Sequence, residues 1–185
     1  PFCLQLAIWG ARRPEDLPWL DLPPKAHLAV AREQLAGLGA ITPGTEELLP
    51  TPLGRQLVKL PLPPRLACLL LRAREHGYGA LAACVASLLD ERDPLPLTDA
   101  SLALRLDRFC SPSDSHGSFR RLRQWAERMA RLTDIPTGNP PDASGASLLR
   151  TARQQLPHLG EVVALAYPER VALRSGENNG MAQYL

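Results

Sequence analysis

Residues 78–91 read YGALAACVASLLDE. Wound as a helix, this segment is apolar around most of its circumference. Such a helix needs cover on nearly all sides, so the segment predicts the central helix of a bundle. Residues 64–75 form a second strongly apolar helix, divided from the first at Gly77. The greasiest run, LACLLL at 66–71, is cut by Arg72 and Arg74. It is far shorter than the roughly 18–20 residues of a membrane span. The most amphipathic helix is expected at 118–132, with Phe119, Leu122, Ala126 and Met129 as its inner stripe and Trp125 and Leu132 alongside. Further helices are expected at about 99–109, starting at Thr98 or Asp99, and at 146–156 and 158–166. Their recurring apolar spacing is helical.

Upstream of the bundle the pattern changes. Leu4, Ala7 and Ile8 make a helical stripe over 2–10, closed by Gly10. Pro23 and Pro24 open an amphipathic helix over 24–38 carrying Leu28, Ala31, Leu35 and Leu38, with Gly39 suited to its C-terminal cap. Ala40-Ile41 and Glu46 to Leu49 flank a turn-rich stretch and predict two short strands. Thr51-Pro52 then starts a short helix through Leu53, Leu57 and Val58 to about Lys59, with Thr as cap and Pro as first helical residue. Helix, two-stranded wing and helix within so short a span is the economy of a winged helix. At the far end, 169–176 alternates like a strand and 181–185 starts another. The chain begins without Met and stops mid-pattern, so a piece of a longer protein is expected.

Charge narrows the chemistry. The 21 cations and 19 anions leave a net charge of +2, and only Lys25 and Lys59 among the cations are lysines. A P-loop needs Gly-Lys-Ser/Thr, but Ala26 follows Lys25 and Leu60 follows Lys59. Richness in Ala, Arg, Pro, Gly and Leu reads as the product of a GC-rich genome, which accounts for Arg at ordinary surface positions. Near-neutral charge argues against a whole-surface nucleic-acid binder but leaves room for a local patch. The cysteines, at 3, 68, 84 and 110, form no CxxC pair, and the histidines, at 27, 76, 116 and 158, are as scattered. No metal site or catalytic residue is therefore assigned. Cys68 and Cys84 read as small core residues, and a reducing, cytoplasmic setting is the natural inference. Asp90, Glu91 and Asp93 form the densest acidic spot. They oppose a helix dipole, so salt bridges to nearby arginines are expected to compensate. Ser111, Ser113 and Ser115 read as loop residues.

Two basic groups remain as candidate sites. Arg120, Arg121, Arg128 and Arg131 lie on the outer face of the 118–132 helix, with Gln124 and Glu127 among them and Arg123 on the flank. One face of guanidiniums can track a phosphate backbone and release its counterions. The plain alternative is a solvated surface with a Glu127–Arg131 pair. Trp125 could stack on a base, although its place beside the apolar stripe favours packing. The second group is Arg55, Lys59 and Arg65. On a free DNA binder the 52–59 helix would enter the major groove, but it is short and has two cations, which favours interdomain docking.

Residues 20–73 carry an ordered motif series: Leu20 to Pro24, Leu35 to Ala40, Leu49 to Arg55 and Leu60 to Arg65. This series resembles the helicase-associated region of DEAH-box ATP-dependent helicases. LLDERDPL at 88–95 and Ala164 to Gly176 resemble the bacterial HrpB branch. Pro50, between Leu49 and Thr51, departs from the pattern at the entry to the short helix.

The resemblance implies a mainly α chain. Residues 1–13 would be the tail of a preceding RecA-like domain, 14–61 a winged helix, 62–167 a ratchet-like helical bundle, and 168–185 the first strands of a truncated C-terminal β region. It implies a parent ATPase that acts on RNA, with ATP and Mg as cofactors of the parent and none in this fragment. The partners implied are the RecA-like motor domains of the same chain and single-stranded nucleic acid, RNA above all, and no membrane. A winged-helix DNA-binding module and a protein-docking module stand as alternatives.

Overall fold

The computed structural model describes residues 1–91, 100–111, 119–136 and 146–172, and the backbone of 174–178 and 181–184. Thr98, Asp99, Asp93, Ser113 and Ser115 lie outside the described residues.

The fold is mainly helical, as the sequence implies. Its centre is α5 (Gly79–Asp90), in which every residue from Gly79 to Leu88 is buried. Helices α4 (Pro64–Glu75), α6 (Leu102–Cys110), α7 (Arg120–Leu132), α8 (Ala146–Gln154) and α9 (Leu159–Ala164) all pack on it. An apolar circumference has thus found partners around it. Gly77 separates α4 from α5 at φ 81°, a left-handed conformation that a glycine adopts without a Cβ penalty. Cys3, Cys68, Cys84 and Cys110 are all buried free thiols. Ser101, rather than Thr98 or Asp99, caps α6, its hydroxyl accepting the Leu104 N–H at 3.3 Å. Among the described residues no helix is long and apolar enough to cross a membrane.

The N-terminal module packs α1 (Phe2–Trp9), α2 (Lys25–Gly37) and α3 (Pro52–Leu57) against the bundle. Gly39, at φ 73°, closes α2 as expected. The expected strand pair is reduced to one antiparallel bridge, Ile41 opposite Pro50. The bridge also explains why Pro50 is tolerated. Its hydrogen bonds come from the neighbours, Thr42 N to Leu49 O at 2.9 Å and Thr51 N to Ala40 O at 3.1 Å. Proline therefore sits where the ladder asks no N–H of it.

At the C-terminal end the alternation at 169–176 does not make a strand from its start. Residues Pro168–Arg170 form a 3₁₀ turn. The strand β1 spans Arg174–Asn178 and pairs antiparallel with β2 (Met181–Tyr184). Proline at the first turn favours that helical start.

Candidate nucleic-acid interface

Helix α7 is placed by its apolar side. Phe119, Leu122, Ala126 and Met129 are buried, and the Ser87 hydroxyl of α5 donates to Leu122 O at 2.8 Å. This locks the rotation of α7 and turns Arg120, Arg121, Gln124, Arg128 and Arg131 outward, all exposed. By the 100° step of a helix the four arginines share an arc of about 100°, with Gln124 near its middle. Arg120, Arg121 and Arg128 have no hydrogen bond or ion pair among the described residues.

Two neighbouring grooves run along this face. One, of about 230 Å³, is lined by Glu91, Arg121, Leu122, Gln124, Trp125 and Arg128. The other, of about 460 Å³, is lined by Gln124, Glu127, Arg128, Arg131 and Leu132. Gln124 and Arg128 belong to both, so the face is continuous. Trp125 is half-buried: it packs on the core and also walls a groove.

Glu127 differs from its expected place. It is 9% exposed, on the flank of the buried stripe, and accepts from Arg131 Nη2 at 3.2 Å. Arg131 is thus partly neutralised. The first turn of α7 has no acidic residue and no side-chain cap. Two cations at that end, Arg120 and Arg121, oppose the helix dipole, by about 0.3–1 kcal/mol each. An anion bound at that end removes the conflict.

Arg123 has a different role. Its Nε and Nη2 donate to Phe109 O at 3.0 and 2.8 Å, and Nη2 also donates to Ser111 O at 3.0 Å. Its guanidinium lies 5.8 and 5.7 Å from the Phe109 and Phe119 ring centres. It closes the C-terminus of α6, whose last carbonyls have no helical partner. Arg72 does the same for α2, donating to Leu38 O at 3.0 Å, and Arg74 for α7, donating to Thr133 O at 2.8 Å.

The other candidate group divides. Arg55 and Lys59 are exposed at the end of α3. Arg65 instead binds within the chain, donating to Ala166 O at 2.8 Å, pairing with Glu169 at 2.8 Å and lying over the Tyr167 ring. It also lines a largely apolar groove of about 630 Å³ between α1, α2 and the start of α4. Helix α3 is six residues long, about 9 Å, and buries Gly54 and Leu57. Too little of it is free to read a major groove.

Of the acidic spot, Asp90 and Glu91 are described, and Asp93 and the neighbouring Arg92 lie outside the described residues. Asp90 and Glu91 form no ion pair among the described residues. Burial, and then the neighbouring Glu91 charge, push the Asp90 carboxyl above its ordinary range. Among the described residues no group of three His, Cys, Asp or Glu could hold a metal ion.

No protein-family model matches the chain. Over 100 residues it is 33% identical to the ATP-dependent RNA helicase HrpB of Escherichia coli (strain K12), an alignment covering 54% of this chain and 12% of that protein. Over 95 residues it is 38% identical to HrpA of the same organism, covering 49% of this chain and 7% of HrpA. The crystal structure of the E. coli DExH-box NTPase HrpB matches 99% of this chain with a TM-score of 0.66 and 25% identity. The chain is similar in sequence and fold to a segment of HrpB. It spans about one tenth of the length of these curated relatives and 19% of the solved HrpB chain. The motif series at 20–73 and the helical bundle after it fall together within the matched HrpB fold.

Proposed function

We propose that this chain is the accessory region of an ATP-dependent RNA helicase. Residues 14–61 form its winged helix and 62–167 its helical bundle. Residues 1–13 are the tail of a preceding RecA-like domain, and 168–185 begin a C-terminal β region. The region packs on the motor domains of its own chain and supplies one wall of a channel for single-stranded nucleic acid. ATP and Mg belong to those motor domains, and the cytoplasm is the compartment of such an enzyme.

The observation that carries the reading is the outward face of α7. It holds four exposed arginines, three of them without partners among the described residues, in a chain matched along its length by the HrpB structure. Phosphate tracking explains cations set against the helix dipole, which a purely solvated surface does not require. The apolar groove beside α1, with exposed Phe2 and Leu89 at its walls, supports packing against another domain. Arg55, Lys59 and Arg65 are proposed to brace that packing, Arg65 by holding residues 166–169 on α4.

Fluorescence anisotropy with a labelled oligouridylate tests the wall. The 185-residue chain is expected to bind single strands weakly and with steep salt dependence. Reversing Arg120, Arg121, Arg128 and Arg131 to Glu should flatten the log–log salt slope by about 3, at roughly 0.7 per phosphate contact. Binding that ignores the reversal, or a preference for one duplex sequence, refutes the reading.

A second test concerns the ATPase. With no P-loop in its sequence, the 185-residue chain is expected to hydrolyse no ATP above the buffer rate. Steady phosphate release that scales with protein concentration and survives repurification would place the motor chemistry here and overturn the assignment.

A further inference from the structure

The smaller groove on α7 does not have the composition of a phosphate site. A site for phosphate alone would be cationic throughout, because a carboxylate in its wall repels the ligand. This groove sets Glu91, at the C-terminal end of α5, opposite Arg121 and Arg128 of α7. Glu91 is exposed and forms no ion pair among the described residues. Between the two arginines stands Trp125. Its indole N–H has no acceptor among the described residues and is not sealed from solvent. Trp125 thus both packs on the core and lines the groove.

These features suit a nucleobase. Arg121 and Arg128 are seven residues apart, about 10 Å along the helix, and flank the indole on either side. They can hold the backbone before and after a nucleotide whose base lies against Trp125. Aromatic stacking accepts every base, whereas a carboxylate accepts only from base N–H groups. Guanine presents two of these side by side, N1–H and the N2 amino group, and can meet both carboxylate oxygens at once. Uracil offers one N–H between two carbonyls that a carboxylate repels. Single-stranded RNA is commonly read in this way, by stacking and by hydrogen bonds to the Watson–Crick edge.

We propose that the groove formed by Glu91, Trp125, Arg121 and Arg128 is a base-binding notch that prefers guanine. Trp125 is its stacking surface and Glu91 its specificity-determining group. The proposal rests on the nucleic-acid reading of α7 and adds base selectivity to it.

The 185-residue chain would be titrated at low salt with labelled oligouridylates carrying one central guanosine, inosine or uridine. Inosine lacks the N2 amino group. Guanosine is expected to bind about tenfold tighter than uridine, the value of one good two-point contact, with inosine between them. Glu91→Gln should remove the preference while leaving the uridine affinity unchanged or higher. The guanosine oligomer should quench tryptophan emission, and that quench should vanish in Trp125→Phe, a variant that retains an aromatic core contact. Far-UV circular dichroism checks that both variants fold.

Equal affinity for the three oligomers with a steep salt slope overturns the notch and leaves the phosphate track standing. A guanosine preference unchanged in Glu91→Gln, or a quench that persists in Trp125→Phe, also overturns it. Absence of binding to any oligomer at low salt removes the underlying reading as well.

Discussion

Gly54→Ala is expected to destabilise the protein by about 3 kcal/mol or more, a severe overpacking. A Cβ at this position would lie 2.0 Å from the carbonyl oxygen of Ala40 and 3.0 Å from its carbon. The obstacle is backbone, and that backbone is held on both sides. Ala40 N donates to Leu35 O at 2.8 Å, while Ala40 O accepts from Thr51 N at 3.1 Å. Neither α2 nor the bridge at Ile41 can yield without breaking one of these bonds. The higher helix propensity of alanine returns only about 1 kcal/mol. Urea denaturation measures the difference, and Gly37→Ala is the control. Gly37 lies in α2, and a Cβ there would meet nothing within 4 Å, so that change should stabilise by about 0.4–1 kcal/mol. Two variants of equal stability would mean that α3 does not seat this closely on Ala40.

The same glycine marks what the sequence could convey. Thr51, Pro52 and Gly54 announce a helix start, and Thr51 Oγ1 does cap α3, accepting the Gly54 N–H at 3.0 Å. The motif does not disclose that Thr51 also donates to Gly39 O at 2.6 Å, or that glycine is needed because another backbone passes there. Apolar periodicity was sufficient for α5 and for the inner stripe of α7, because burial acts on every turn of a helix. It failed at the wing, where Ile41 and Pro50 make one bridge. It misplaced the start of the strand read at 169–176, which begins at Arg174 because proline favoured a turn at 168–170.

The candidate site was legible in the same measure. Helical spacing places Arg120, Arg121, Arg128 and Arg131 on one face, and they are there. Spacing cannot show that Glu91 borders that face, since the two elements meet only through tertiary packing. Nor can it separate bound arginines from solvated ones. Arg65, Arg72 and Arg74 find carbonyls 101, 34 and 59 residues away, and no local pattern records such partners. Compositional bias explains that arginine is abundant. It does not explain why Arg72 needs a fork, with one nitrogen for Leu38 O and another for Leu165 O.

Arg123→Ala should accordingly cost about 3 kcal/mol, while Arg128→Ala, further along the same α7, should change stability by less than about 0.5 kcal/mol. Arg123 makes three charge-assisted hydrogen bonds to two carbonyls at the end of α6. Removal leaves Phe109 O, which accepts two of them, without its side-chain donors. Hydrogen bonds to a charged group contribute about 1.5–3 kcal/mol net, and the approach to Phe109 and Phe119 adds roughly 0.5–1 kcal/mol. Arg123→Lys keeps the charge and most of the apolar stem but presents a single nitrogen. It can serve one carbonyl at a time, so it should recover less than half of the loss. Arg128, exposed and without a partner among the described residues, has no such bonds to lose. Its removal should instead weaken oligouridylate binding. Thermal unfolding and anisotropy on the same three variants read both effects. If Arg123→Lys unfolds with wild-type stability, the fork geometry is irrelevant and charge alone holds α6 to α7. If Arg128→Ala loses stability instead of affinity, the outer face of α7 is a structural surface and not a wall for nucleic acid.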